Sequence, residues 1–274
     1  MLGQLNIQGK NKIEVSIDRI KLFEPQGGYY VAFSGGKDSV VIKALCDMAG
    51  VRYDAHYNVT SVDPPELVRF IKEHHSDVVF DYPRDKDGQV ITMWNLIPKK
   101  LMPPTRIVRY CCQCLKEGGG DGRTVITGVR WAESAKRKNN RAGAEADTDE
   151  KRRILLDPDN PDNEQLMRIC PTKGKHILNP IIDWSDEDVW EFIHTYNIPY
   201  CELYDQGYKR LGCIGCPMSG NQSEELEKYP KIKEAYLRAF GRMLQVRRDK
   251  DKPTDWQTPE EVMEWWVNKT GVKK

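Results

Sequence analysis

The apolar run Tyr29-Tyr30-Val31-Ala32-Phe33 leads into Ser34-Gly35-Gly36-Lys37-Asp38-Ser39, and Val40-Val41-Ile42-Lys43-Ala44-Leu45 follows. A short buried strand, a glycine-bearing loop and a helix in that order constrain the fold more than any other stretch, because they open a parallel βα unit. Each loop position has a physical reason. Gly35 and Gly36 let the backbone take unusual dihedrals and come close to an anion. Backbone N–H groups and the positive N-terminal end of the helix then face that anion. Lys37 adds a mobile positive charge, and Ser34 and Ser39 add hydroxyl donors. Asp38 suits a partner for the loop lysine, an aid to a metal, or a helix-start acid. The loop reads as a phosphate cradle, but not as GxxxxGK[ST], since only Gly-Gly precedes Lys37.

The rest of the chain repeats the alternation. Helical spacing over 13–24 precedes the first strand, Tyr53 to Val59 predicts a second strand, and Glu66 to His74 a helix behind Pro64-Pro65. Val78 to Tyr82 and Thr124 to Val129 predict two more strands, the last behind the turn Gly118-Gly119-Gly120. The expected fold is α/β, a mostly parallel sheet with flanking helices. The polar stretch 138–175 predicts an ordered insertion or a mobile surface loop. Ser185 with Asp188 caps a helix running through Tyr196, and charged helical sequence occupies Glu224 to Val246. Thr258-Pro259-Glu260-Glu261 then starts a final helix. The expected organisation is a helical lead-in at 1–28, a main domain at 29–220 and a C-terminal helical extension at 221–274.

Eight cysteines need a chemical context, and composition bears on it. The N-terminal stretch Met1 to Lys12 lacks a secretory pattern, no apolar run reaches about 18 residues, and the formal charge is +1. A cytoplasmic protein with no membrane partner is expected, and clustered cysteines there read first as metal or redox sites. Cys111, Cys112 and Cys114 form one cluster and Cys213 and Cys216 a C-x-x-C; Cys46, Cys170 and Cys201 stand apart as small buried thiols. Spacing alone leaves a [4Fe–4S] cluster, a four-cysteine Zn²⁺ site and a redox dithiol all open.

The hexamer SGGKDS resembles the hallmark of the PP-loop (adenine nucleotide alpha-hydrolase-like) superfamily. The ordered set adds to it: Cys-Cys-x-x-x-Lys ending at Lys116, Gly128-Val129-Arg130-x-x-Glu133-Ser134-x-x-Arg137, Asn179 to Trp190, Asp205-Gln206-Gly207-Tyr208, and Leu211-Gly212-Cys213-x-x-Cys216. Over about residues 29–217 this set resembles the sulfonucleotide (APS/PAPS) reductase family. The resemblance implies an adenine nucleotide, ATP or APS/PAPS, in the loop. It also implies a [4Fe–4S] cluster on Cys111, Cys112, Cys213 and Cys216, Lys116 near cluster and anion, and Arg130 and Arg137 on phosphate or sulfate. Guanidinium forks and a fixed ammonium suit those oxyanions. Mg²⁺ is expected if the nucleotide is ATP.

The family's reductases carry a catalytic cysteine in a Glu-Cys-Gly-containing tail, whereas the last cysteine here is Cys216. Three expectations follow. The first is an ATP pyrophosphatase that adenylates a nucleic-acid or protein acceptor for sulfur transfer, with Cys114 as a sulfur carrier. The second is a sulfonucleotide reductase using Cys114 or an external thiol such as thioredoxin. The third is a nucleotide-binding subunit that docks a partner through Trp265-Trp266, residues that also suggest a homo-oligomer. The basic run Lys136 to Arg141 suits nucleic-acid phosphates or closure over the nucleotide.

Overall fold

A computed structural model describes residues 2–6, 8–147, 153–164 and 175–270. Among these, seven strands form one sheet: β1 (Tyr29–Ala32), β2 (Tyr53–Asn58), β3 (Val79–Asp81), β4 (Thr124–Ile126), β5 (Ala144–Asp147), β6 (Arg153–Leu156) and β7 (His176–Leu178). Their order is β3-β2-β1-β4-β7-β5-β6. β1 runs parallel to β2 and β4, and β4 parallel to β7, while β5 and β6 add an antiparallel hairpin beyond β7. The fold is therefore the expected α/β class with a mostly parallel sheet. Cys170 lies outside the described residues, while Cys46 and Cys201 are buried as expected.

The helices are α1 (Lys12–Leu22), α2 (Lys37–Ala49), α3 (Pro65–His74), α4 (Met93–Lys100), α5 (Tyr110–Leu115), α6 (Ala135–Asn140), α7 (Asp186–Thr195), α8 (Gln222–Lys228), α9 (Pro230–Asp249) and α10 (Pro259–Thr270). Local sequence explains several ends. Asn11 with Glu14 and Ser185 with Asp188 make capping boxes at α1 and α7, satisfying N–H groups that have no intrahelical partner. Gly50, at φ 69°, ends α2 in the left-handed conformation.

The chain divides into two compact units. The first comprises Met1–Tyr57, Glu66–Phe80 and Gly119–Leu211, and holds almost the whole sheet. Its core includes Tyr29, Val31, Val41, Leu45, Ile126 and Phe192, with Trp184 donating to Ser16 Oγ at 3.1 Å. The buried Arg19 fork binds Asp159, Asp183 and the Pro180 carbonyl, which ties α1 to the stretch after β6. The second unit comprises Asn58–Pro65, Asp81–Gly118 and Gly212–Lys274. It packs α4 and α10 against α9 around Leu96, Ile97, Tyr110, Ile214, Phe240 and Trp266.

The helices expected as an extension at 221–274 thus share a unit with three earlier or adjoining segments. Trp266 is buried to 0% exposure and donates to the Pro104 carbonyl at 2.6 Å. That corrects its expected use as a docking or self-association face, because a side chain inside the core has no surface to offer. Trp265 is partly buried, set edge-on against Trp256. Among the described residues no helix is long and apolar enough to cross a membrane.

Candidate functional site

In the first unit, β1 hands over to α2 through Ser34, Gly35 and Gly36, so half of the SGGKDS hexamer already lies in the helix. Gly35 has φ +73°, and a Cβ there would stand 2.7 Å from Leu67 and 2.8 Å from Ile71 on α3. Only glycine meets both conditions. Gly36 is the N-cap and has ordinary extended dihedrals, so unusual backbone geometry is confined to Gly35. Ser39 Oγ donates to the Gly36 carbonyl at 2.8 Å and lies 3.3 Å from Ser34 Oγ, which folds the loop over the helix start.

Lys37 is buried rather than mobile, a correction to the sequence expectation. Its Nζ lies 3.4 Å from Asp186 and 3.7 Å from Asp38, with the Lys209 carbonyl at 3.5 Å. Arg130, 1% exposed, spends its donors on Asp38 (2.7 Å), Asp186 (2.6 Å) and the Trp184 carbonyl (3.3 Å). Its fork therefore braces the loop's acid, with three of its five N–H groups in these bonds. Burial alone would push Asp186 up, but the Arg130 fork and Lys37 more than reverse it, so the carboxyl sits below its ordinary value. A Cβ on Gly128 would stand 2.8 Å from the Asp38 Cβ and 2.9 Å from its carbonyl oxygen. Gly128 thus serves by letting the chain after β4 press against the start of α2.

Arg137 pairs with Glu133 one turn away on the short helical stretch before α6. Burial and then the charges of Arg210, Arg141 and Arg130 hold its pKa below the ordinary arginine value. Arg141, from the basic run, binds the buried Glu145 at 2.7 Å. Cations that repel one another beside a helix N-terminus can be relieved by an anion. Asp186, Tyr204 and Arg210 escaped the sequence reading. Tyr204 Oη accepts the Lys37 N–H at 2.8 Å across 167 residues. Only the Asp-x-Gly-Tyr motif directly after Tyr204 marked that region as interesting.

The second unit holds the five clustered cysteines. Cys111, Cys112 and Cys114 lie on α5, and Cys213 and Cys216 bracket the turn before α8; none is in a disulfide. Cys111, Cys112, Cys213 and Cys216 interact electrostatically. The Cys112 thiol is pushed well down, first by the hydrogen bond from Cys111 and then by Arg109, whose Nη2 lies 3.4 Å from its sulfur. Cys213 Sγ lies 3.6 Å from Thr60 Oγ1. Lys116, the C-cap of α5, is held protonated chiefly by Cys213 and then by Asp63. Cys114 packs against the apolar core. Among the described residues no three His, Cys, Asp or Glu side chains gather as a single metal ion requires.

The family model of the phosphoadenosine phosphosulfate reductase domain matches residues 28–219. An uncharacterised protein of Methanocaldococcus jannaschii is 26% identical over 227 residues, 78% of this chain but only 46% of that protein. Adenosine 5'-phosphosulfate reductase of Pseudomonas aeruginosa is 29% identical over 211 residues, covering 71% of this chain and 69% of the enzyme. The crystal structure of phosphoadenylyl-sulfate reductase from Candida auris, a phosphate complex, aligns at TM-score 0.41 and 15% identity over 77% of this chain and 96% of that one.

Proposed function

The chain belongs to the phosphoadenosine phosphosulfate reductase family, and on that premise we propose that it is an ATP pyrophosphatase that adenylates an acceptor for sulfur transfer. The observation that carries the reading is the loop geometry: Gly35 at φ +73° turns the backbone into the start of α2, and the buried Lys37 stands 3.4 Å from Asp186 at that same helix end. A glycine turn, a helix start and a lysine together suit a polyphosphate, with Mg²⁺ entering as part of the substrate. In this reading the N–H groups of Gly35 and Gly36 hold phosphate oxygens, and Ser34 and Ser39 shape the loop around them. Lys37 leaves Asp186 for the phosphate. Arg130 keeps Asp38 in place, and Arg137 neutralises charge that develops on the departing pyrophosphate.

The family resemblance also brings a [4Fe–4S] cluster, and the cysteines fit it. Cys111, Cys112, Cys213 and Cys216 are free thiols within one unit and offer an all-sulfur donor set. When bound, the cluster supplies a thiolate-ligated, redox-capable centre of charge. Lys116 would remain protonated beside those ligands, and Cys114 stays outside them. The sulfur acceptor is a nucleic acid or a protein, and an external donor brings the sulfur.

Release of pyrophosphate from ATP on addition of RNA, DNA or protein acceptors tests the reading, and silence with every acceptor removes it. Lys37→Ala is expected to lower that rate at least a hundredfold. A second reading, a thiol-dependent APS/PAPS reductase, is favoured by the relative from Pseudomonas aeruginosa that bears the reductase name. Sulfite released from APS or PAPS with thioredoxin would select it. In that case loss of the rate in Cys114→Ser would give Cys114 the attacking thiol.

A further inference from the structure

Tyr204 stands outside every motif of the loop, yet its hydroxyl oxygen accepts the Lys37 N–H at 2.8 Å. That N–H belongs to the first residue of α2 and would otherwise be one of the helix's open donors toward an anion. The hydroxyl also stands 3.4 Å from where a Gly36 Cβ would be, so it lies directly over the end of the loop. The ring is fixed edge-on against Trp190 at 5.2 Å and Tyr200 at 6.5 Å, and Lys37 Nζ lies 5.9 Å from its centroid. A phenol has one proton to donate besides its acceptor lone pairs. Among the described residues no hydrogen bond uses the Tyr204 proton, and burial raises the phenol's pKa so that the proton stays.

We infer that Tyr204 is a ligand of the bound nucleotide: its hydroxyl takes the Lys37 N–H and passes on its own proton as a hydrogen bond to a non-bridging phosphate oxygen. The helix start thereby acquires a donor that reaches beyond the backbone. The inference rests on the nucleotide-binding reading above and adds a residue to it.

Calorimetric titration of the full chain with ATP, inorganic pyrophosphate and adenosine tests it, alongside Tyr204→Phe. The expected result is ATP and pyrophosphate binding weakened roughly tenfold, with adenosine binding and the melting temperature unchanged. A polyfluorinated tyrosine at 204, which keeps the acceptor but ionises at lower pH, should lose ATP affinity as pH rises through that ionisation. Equal or tighter ATP binding by Tyr204→Phe overturns the inference. So does an ATP affinity of the fluorinated protein that stays flat with pH, the behaviour of a residue that only shapes the loop. Wild-type protein that binds neither ATP nor pyrophosphate fails the nucleotide reading itself, a distinct result that takes the inference with it.

Discussion

His75 carries a consequence of burial that the site does not. Its ring sits between Phe33 at 4.8 Å and Phe70 at 5.3 Å, and its Nε2 has no hydrogen-bond partner among the described residues. Burial, then the nearby Lys43 charge, bring its pKa down to about 4. The unfolded chain binds this proton near pH 6.5 while the folded chain resists it, so stability falls as pH drops from about 6.5 toward 4. Between pH 7.5 and 5 the loss is about 2 kcal/mol from this residue alone. Urea midpoints at the two pH values should therefore differ less in His75→Gln than in the wild type. Gly128→Ala should keep the fold but displace Asp38, since its Cβ would meet that residue's backbone at 2.9 Å. Reduced nucleotide binding together with a lowered melting temperature is the expected outcome, since the clash is with backbone. At this scale the sequence was legible where chemistry is contiguous. Lys37 and Asp38 stand beside their glycines, but Asp186 and Tyr204 reach them from well over a hundred residues away. No local pattern carries such a contact.

Elements were legible in proportion to their length and capping. The Ser185 and Asp188 pair announces α7, and the structure gives it both bonds of a capping box. Ser185→Ala should cost about 1 kcal/mol, read as a lower urea midpoint with no change in nucleotide affinity. The helices α4 and α5, of 8 and 6 residues, are too short to build a periodic signal, and α5 is mostly cysteine and polar residues. The stretch 138–175 illustrates the opposite difficulty. It reads as polar and irregular, yet β5 pairs along its full length with β6 and over three residues with β7. Ala144 and Ala146 are the small buried residues there, while Ile154 and Leu155 on β6 are exposed. Apolar alternation is weak because the inward side chains are small and the outer strand faces away from a core.

The whole molecule is organised by interleaving, which no linear reading of domains conveys. Each unit is assembled from three segments of the chain. Cutting the chain after Gly220 should therefore not release a trimmed domain. It would remove Tyr236, Phe240, Met243 and Trp266 from a core whose other side is Leu96, Ile97 and Leu115. The expected product is poorly soluble and binds a hydrophobic dye; a soluble, cooperatively melting fragment would contradict this account. The α/β class could be read in advance because parallel βα units repeat in sequence. The second unit could not, because its strongest packing partners are far apart along the chain.

Interleaving also sets a timetable for synthesis. Cys111 and Cys112 leave the ribosome about a hundred residues before Cys213 and Cys216, a delay of roughly 5–20 s at ordinary elongation rates. Through that interval the nascent chain holds three neighbouring thiols whose later companions have not been made. Oxidant or stray metal meets them first, so the yield of correctly built protein should depend on the redox state of the cell during translation.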